Sequence, residues 1–166
     1  MYLTRSLDST HNRSEFSCGK ESLDHYFKNQ ASQDIKRKLS ACFVLPDMEC
    51  NLIKGYYTLS NASVPLELVP GPLREKLPKS YKSIPATLLG RLAINVLYQN
   101  QGIGKLLLLD AFNRSYDTSK SIGSFAIVVD PLDEQAQSFY TKYGFKSLPD
   151  SGKMLLSMKK IELLFI

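Results

Sequence analysis

Residues 99–104 read Gln-Asn-Gln-Gly-Ile-Gly and lie between two apolar runs. The run before them, at 88–97, has the continuity of a buried strand, and the run after them, at 105–112, has helical spacing. A strand that feeds a glycine-containing turn into a helix start gathers backbone N–H groups in one concavity, where the helix dipole adds positive potential. Gly102 and Gly104 let a ligand approach the backbone. We call residues 99–105 the cradle, and predict that it holds a phosphate or pyrophosphate.

Two familiar phosphate loops do not match the cradle. A Walker A loop needs Gly-x-x-x-x-Gly-Lys-Ser/Thr, but Gly104-Lys105 is followed by Leu106 and the upstream glycine position holds a glutamine. A dinucleotide fingerprint needs Gly-x-Gly-x-x-Gly, but Leu107 stands where the third glycine belongs. The stretch fits Gln/Arg-x-x-Gly-x-Gly/Ala instead. In this pattern it resembles the loop that binds the acetyl-CoA pyrophosphate in the GNAT N-acetyltransferases.

This resemblance implies acetyl-CoA as the cofactor. The end of the preceding strand would hold the pantetheine arm and polarise the acetyl carbonyl through backbone N–H groups, and the cradle would hold the pyrophosphate. The alternative is a glycine-rich turn that binds no ligand. The cofactor-binding residues implied here are Leu92, Ala93, Ile94, Val96, Gln99, Asn100, Gln101, Gly102, Ile103, Gly104 and Lys105.

A second stretch, at residues 136–145, reads Ala-Gln-Ser-Phe-Tyr-Thr-Lys-Tyr-Gly-Phe. It resembles the other GNAT signature, Ala-x-x-Phe-Tyr-x-x-x-Gly-Phe, and follows the cradle in the order and spacing of that family. Tyr140 holds the position of the family's general acid, which protonates the CoA thiolate as it leaves. The alternative is that Tyr140 only packs on Phe145. Tyr143 is expected to pack.

Asp133 departs from the family pattern. It stands seven residues before Tyr140, where the family often has an asparagine that contacts the cofactor, so the resemblance implies that Asp133 is also a cofactor-binding position. A carboxylate would repel the phosphates of CoA, whereas it suits a helix N-terminus. No carboxylate stands out as a general base, and the candidates are Asp133 and Glu134.

The N-terminal stretch at residues 16–24 reads Phe-Ser-Cys-Gly-Lys-Glu-Ser-Leu-Asp. The pattern Phe-x-Cys-Gly-x-x-x-Leu-Asp, followed by a basic helix end at residues 36–38, resembles the opening of the GNAT toxins of bacterial toxin–antitoxin pairs. Residues 89–93, Leu-Gly-Arg-Leu-Ala, resemble the same subgroup. The resemblance implies acetylation of the α-amine of an aminoacyl-tRNA, which blocks translation. It also implies a ribbon-helix-helix antitoxin as partner and a homodimer.

Charge and acceptor chemistry agree with a tRNA substrate. The chain carries a net charge of +5, and its basic side chains cluster at residues 36–38, 74–91 and 142–160, where they would attract phosphates. For any single lysine the alternative is a solvated surface. An α-amine titrates at about 8, well below the roughly 10.4 of a lysine side chain, so it needs little help from a base. The residues expected to contact tRNA are Lys36, Arg37, Lys38, Arg91 and Lys142.

Length and composition predict a single GNAT domain over residues 1–166, since a chain of this size buries a core without disulfides. Cys18, Cys42 and Cys50 lack Cys-x-x-Cys spacing and are expected to be free thiols. No His/Cys/Asp cluster indicates a metal, and no His-bearing motif makes Cys18 a nucleophile.

No apolar segment approaches a membrane span, and the first eight residues lack the apolar core of a signal peptide, so a cytoplasmic location is expected.

Hydrophobic periodicity predicts an α/β fold with a mixed central sheet flanked by helices, as the GNAT resemblance also implies. A proline-rich loop is predicted at 61–85, containing one short helix at 72–77. Asp130 and Pro131 predict an N-cap and first helical position ahead of the last helix. Further helices are predicted at 21–37, 102–116 and 133–143, and strands at 1–7, 40–46, 53–59, 87–96, 124–129, 145–148 and 153–158.

Two other functions remain open from the sequence. The same cofactor motifs fit a GNAT enzyme that acts on a protein N-terminus or on a small-molecule amine, although the 16–24 stretch argues against it. A non-catalytic module that binds CoA or nucleic acid is the third possibility, and only Asp133 favours it.

Overall fold

A computed structural model describes residues 1–166, which form seven strands and six α-helices. The strands are β1 Arg5–Ser6, β2 Ala41–Pro46, β3 Ile53–Pro65, β4 Ser83–Ile94, β5 Ala126–Val129, β6 Lys146–Ser147 and β7 Met154–Ser157. The helices are α1 Glu21–Asn29, α2 Ala31–Lys36, α3 Gly71–Arg74, α4 Ile103–Ser119, α5 Glu134–Lys142 and α6 Met158–Glu162, with 3-10 turns at Leu66–Leu68 and Val96–Tyr98. None of these helices has the length and apolar character needed to cross a bilayer.

The seven strands form a sheet in the order β1-β2-β3-β4-β5-β7-β6. β2 pairs antiparallel with both β1 and β3, and β7 pairs antiparallel with both β5 and β6. β4 lies in the interior of this order, as its apolar sequence predicts. The cradle therefore follows an interior strand, and the α/β class is the one predicted.

The chain divides into two compact units, of which the first comprises Met1–Ser60 and Leu89–Arg114. Its core is aromatic. The rings of Phe27 and Tyr56 stack with centroids 4.3 Å apart, and Phe16 packs its edge against both. These rings pack the 16–24 stretch against α1 and β3 in the core of this unit.

The second unit comprises Asn61–Leu88 and Ser115–Ile166. Its core packs side chains from the later part of β3, the first part of β4, β5 and β7, among them Val64, Ile84, Ala126 and Leu155. All four residues of β5 are buried, which explains why this strand is continuously apolar. The single domain expected from length stays a prediction.

The N-terminal strand is shorter than predicted. Only Arg5–Ser6 pairs with β2, because the residues before it bond to a helix instead of a strand. The Leu3 N–H donates to the Asp110 carboxylate at 2.6 Å, and the Thr4 hydroxyl donates to the same group. Asp110 is buried on α4, where Tyr57 also donates to it at 2.7 Å. A buried carboxylate needs such donors, and the chain before β1 supplies two of them.

The single helix predicted at 21–37 is two helices, α1 and α2. The break is at Gln30, with φ −121° and ψ −33°, and its N–H still bonds to Tyr26 O. The break lets Phe27 at the end of α1 and Ala31 at the start of α2 both reach the core. Neither glycine nor proline marks this position, so sequence carried no signal for it.

Other observed boundaries also differ from the predicted ones. β3 continues to Pro65 and β4 begins at Ser83, so both strands extend into the predicted 61–85 loop, whose helix is α3 at Gly71–Arg74. The last predicted strand ends at Ser157, and α6, which was not predicted, follows it. The N-cap of α5 is Asp133 rather than Asp130, because the Asp133 carboxylate accepts from Ala136 N–H at 2.9 Å.

Gly55 on β3 is closely approached by β4 and α4. A Cβ atom there would lie 2.8 Å from Ala93 O on β4 and 2.8 Å from Leu107 Cδ1 on α4. We therefore expect Gly55→Ala to lower the free energy of unfolding by about 1–3 kcal/mol, measured by denaturant titration. Gly123→Ala is the control, because a Cβ at Gly123 meets nothing within 4 Å. Equal losses in the two variants would contradict the expectation.

Candidate functional site

The cradle joins the end of β4 to the start of the 17-residue helix α4. The backbone N–H groups of residues 100–105 make no hydrogen bond within the chain. Asn100 and Gly102 have positive φ values of 62° and 78°, next to residues with ordinary values. Such alternation turns successive N–H groups toward one side, as in the backbone nests that bind anions. Asparagine and glycine are the residues that adopt this conformation most easily.

Electrostatics at the cradle also favour an anion. The first turn of α4 carries no acidic side chain, so nothing in it neutralises the positive end of the helix dipole. Lys105 lies in the same turn and is exposed. The predicted arrangement of unpaired N–H groups, helix N-terminus and lysine is therefore present, and it can hold a pyrophosphate.

The turn that precedes the cradle is tied to the N-terminal stretch 16–24. Val96 N–H donates to Ser17 O at 2.7 Å. The Gln99 side chain donates through Nε2 to Cys18 O and to Ile94 O, at 2.9 Å each. The side-chain amide of Gln99 thus joins the 16–24 stretch to the end of β4. Only the main-chain atoms of Gln99 are left to contact a ligand. We call residues 95–99 the lead-in turn.

Two backbone N–H groups at the end of β4 are not available to hold the pantetheine arm, contrary to the expectation. The N–H groups of Asn95 and Val96 already donate to Lys54 O and Ser17 O, so they are not free to hold a ligand. The Val96 side chain, 48% exposed, is what that residue presents. The other implied residues of the strand end, Leu92, Ala93 and Ile94, lie on β4 itself, with Ala93 buried and the other two half-buried.

Asn95 is the residue of this region that sequence reasoning missed. Its side chain is buried and caps the 3-10 turn at Val96–Tyr98. The available signal was a polar residue directly after an apolar strand, since a buried amide in that place has to be hydrogen-bonded.

Tyr140 lies on α5 and is buried, with 6% of its surface exposed. Its ring packs edge-on against Phe139 and Phe145, with centroids 5.3 and 5.2 Å away. Its hydroxyl makes no hydrogen bond within the chain, although the side chain is so largely buried. Burial raises the pKa of the phenol well above its usual range, so the group keeps its proton at neutral pH. The ring therefore packs as the alternative expects, while the hydroxyl is left available as a donor.

Residues at the two ends of α5 have structural roles. Tyr143 packs its ring against Phe139 at 5.1 Å, as expected. Asp133 is the N-cap of the helix, the role that a carboxylate suits. Glu134 lies in the first turn of α5.

The basic residues expected to contact tRNA differ in their surroundings. Lys36, Arg37 and Lys38 are exposed at the end of α2, and Lys142 is exposed at the end of α5. Arg91 is half-buried, with its guanidinium 3.4 Å from the ring centre of Tyr26 on α1. This stacking is a cation–π contact that sequence did not indicate. The tRNA contacts themselves stay predictions.

The three cysteines are free thiols, as predicted. Cys18 and Cys42 are buried, and burial raises their pKa values to about 11 and about 12. A thiol with such a pKa holds almost no thiolate at neutral pH. Cys18 is therefore unsuited to carry an acyl group, which agrees with direct transfer from the donor.

Comparison with known proteins places the chain in a family. A family profile described as an acetyltransferase (GNAT) domain matches residues 74–147. A tRNA-acetylating toxin of Mycobacterium tuberculosis is 33% identical over 156 residues, which covers 93% of this chain and 91% of the relative.

Solved structures match over the same extent. AtaT complexed with acetyl-methionyl-tRNAfMet is 30% identical, with a TM-score of 0.90 and 98% of each chain covered. A tyrosine-to-phenylalanine variant of the AtaT toxin, bound to the C-terminus of the antitoxin AtaR and acetyl-CoA, is 27% identical, with a TM-score of 0.81 and 98% and 96% of the two chains covered. These matches confirm the predicted GNAT fold. Because the identity to a curated relative extends along nearly its full length, the chain belongs to the GNAT acetyltransferase family, in the group of the tRNA-acetylating toxins.

Proposed function

We propose that this chain is an acetyl-CoA-dependent N-acetyltransferase toxin, which acetylates the α-amine of aminoacyl-tRNA and thereby inhibits translation. One observation carries the proposal: the chain aligns almost from end to end with a tRNA-acetylating toxin. The acceptor follows from that relation, whereas the donor has independent support in the cradle.

Acetyl-CoA is the donor that the cradle suits. Six consecutive N–H groups, at residues 100–105, are free to bind the pyrophosphate oxygens at the positive end of α4. Lys105 adds an exposed positive charge next to them. The matched AtaT variant bound to acetyl-CoA supports the same donor. Acetyl-CoA supplies the activated acetyl group as a thioester.

The transfer is a direct attack of the amine on the thioester. The neutral α-amine forms a C–N bond to the acetyl carbonyl, which gives a tetrahedral oxyanion. The C–S bond then breaks, and Tyr140 donates its phenolic proton to the departing sulfur as general acid. The proton lost by the amine passes to solvent, from which the phenolate regains its own. The raised pKa of Tyr140 fits this role, since the group arrives at the reaction protonated.

The acceptor needs little activation. An α-amine with a pKa of about 8 is neutral in an appreciable fraction at pH 7, unlike a lysine amine. The tRNA phosphates would be held by the exposed basic side chains of Lys36, Arg37, Lys38 and Lys142, together with Arg91.

The proposed activity implies an antitoxin, an oligomeric state and a cellular location. We propose an antitoxin of the ribbon-helix-helix class, a homodimer and a cytoplasmic location, where charged tRNA is found. The AtaT variant bound to the C-terminus of AtaR supports the antitoxin.

An acceptor competition tests the proposal. Purified protein and acetyl-CoA are offered charged tRNA, deacylated tRNA, a peptide with a free N-terminus and a polyamine, and the products are identified by mass spectrometry. We expect N-acetylaminoacyl-tRNA as the main product and no modification of deacylated tRNA. Faster turnover of the peptide or the polyamine would favour the alternative GNAT function. No transfer to any acceptor would favour a binding module.

A further inference from the structure

We propose that Asn95 is a positioning residue for acetyl-CoA binding, which fixes the lead-in turn and through it the cradle. This inference rests on the proposed function, because it concerns how the donor is bound. Asn95 itself touches no part of the cradle through its side chain. Its effect would be transmitted through the main chain of residues 96–99.

Asn95 is buried, with 1% of its surface exposed, and every polar group it has is used. Its side-chain Nδ2 donates to Ile53 O at 3.1 Å, and its Oδ1 accepts from Leu97 N–H at 3.1 Å. Its main-chain N–H donates to Lys54 O at 2.8 Å, and its carbonyl accepts from Tyr98 N–H at 2.8 Å. A single residue thus connects the start of β3 to both ends of the turn that leaves β4.

The cradle depends on its two ends for its shape. The N–H groups of residues 100–105 bond to nothing in the chain, so no internal hydrogen bond of theirs holds the loop before a ligand arrives. One end is fixed by α4. The other end is the lead-in turn, and its geometry decides where the first free N–H groups point. Donors that are held in place before binding cost less to order when the anion arrives.

Residues 17 and 18 support the same turn from outside. Ser17 O accepts from Val96 N–H, and Cys18 O accepts from the Gln99 amide. The 16–24 stretch is itself closed by Asp24, whose carboxylate accepts from Cys18 N–H at 2.8 Å. The stretch that resembles toxin openings therefore supports the donor site in this chain. Because Gln99 is exposed, water competes for its bonds, and Asn95 is expected to matter more.

Asn95→Asp tests the inference with a side chain of the same shape. The change removes the Nδ2 donor and sets a carboxylate oxygen against Ile53 O. We expect the Kd for acetyl-CoA, measured by calorimetry, and the KM for acetyl-CoA to rise about five- to tenfold. The kcat at saturating acetyl-CoA should stay within about twofold, since the reacting groups are unchanged. Repulsion from Ile53 O should push the carboxylate away from the turn, so that Leu97 N–H also loses its acceptor and hydrogen exchange speeds up at the Leu97 and Tyr98 amides.

Val64→Ala is the matched control, because Val64 is buried in the core of the second unit and its loss lowers stability alone. It should leave the Kd for acetyl-CoA unchanged. Asn95→Ser is the second variant if Asn95→Asp does not fold, and it should show the same rise in Kd. A folded Asn95 variant with wild-type Kd, or an equal rise in Val64→Ala, would overturn the inference. Failure of the wild-type protein to bind acetyl-CoA would contradict the proposed function instead.

Discussion

Tyr140→Phe should lower the rate of acetyl transfer by about 100- to 10,000-fold, the range that one general acid contributes. The variant keeps the ring that packs on Phe139 and Phe145 and removes only the hydroxyl. Acetyl-CoA binding should therefore stay within about twofold of wild type, because no donor to the pyrophosphate is lost. The transfer rate is measured by mass spectrometry of charged tRNA, and binding by calorimetry. In cells, the variant should also relieve the growth arrest that the wild type causes.

Tyr143→Phe is the control for this result. It removes a hydroxyl from the tyrosine that caps the C-terminal end of α5, three residues after Tyr140, and it should transfer acetyl groups at nearly the wild-type rate. Folding of Tyr140→Phe should be close to wild type, because the Tyr140 hydroxyl has no hydrogen bond to lose. A Tyr140→Phe variant that transfers as fast as Tyr143→Phe would contradict the assignment of the general acid.

Gly102→Val should weaken acetyl-CoA binding by about 10- to 100-fold, since a β-branched residue at positive φ costs on the order of 1–3 kcal/mol. Gly102 has φ +78° in the middle of the cradle, and a Cβ there would meet no other atom within 4 Å. The loss would therefore come from a backbone that leaves the nest geometry, and calorimetry with acetyl-CoA measures it.

Gly123→Val is the matched control for Gly102→Val. A Cβ at Gly123 also meets no atom within 4 Å, but the φ of Gly123 lies outside the positive range. It should bind acetyl-CoA as the wild type does. Undiminished affinity in a folded Gly102→Val protein would show that the cradle does not depend on this conformation, and it would remove the main argument for the pyrophosphate site.

The parts of the fold that sequence predicted are those with strong local patterns. The apolar run of β4, the glycines of the cradle and the helical spacing of α4 lie next to one another and agree, and the structure has all three in place. The same holds for β2 and for α5, which ends as predicted before Gly144 at φ +96°. Here local preference and tertiary packing lead to the same structure.

The parts that sequence missed depend on contacts between distant residues. The shortened β1 follows from Asp110 on α4, which takes the Leu3 N–H and lies 107 positions away. The break at Gln30 follows from packing on both sides of it, and local preference alone favours a continuous helix there. Such boundaries are set by hydrogen bonds and packing with residues far away along the chain. A short stretch of sequence does not contain those residues.

The candidate site divides in the same way. The cradle and Tyr140 were named from motifs, because a phosphate loop and a catalytic tyrosine carry their chemistry in short patterns. The Gln99–Cys18 bond, which spans 81 positions, and the buried cap at Asn95 were not. Main-chain carbonyls have no sequence signature. The residues that hold a site in place are therefore harder to predict from sequence than the residues that contact its ligand.

The chemical state of charged tRNA after exposure to the protein tests the proposed activity directly. Total charged tRNA from a translating extract is incubated with the protein and acetyl-CoA, the aminoacyl esters are hydrolysed, and the released amino acids are analysed by mass spectrometry. We predict that one or more amino acids carry an acetyl group on the α-nitrogen, and that translation in the extract stops in parallel. Charged tRNA that remains unmodified with wild-type protein and acetyl-CoA present would contradict the acetylation of aminoacyl-tRNA by this protein.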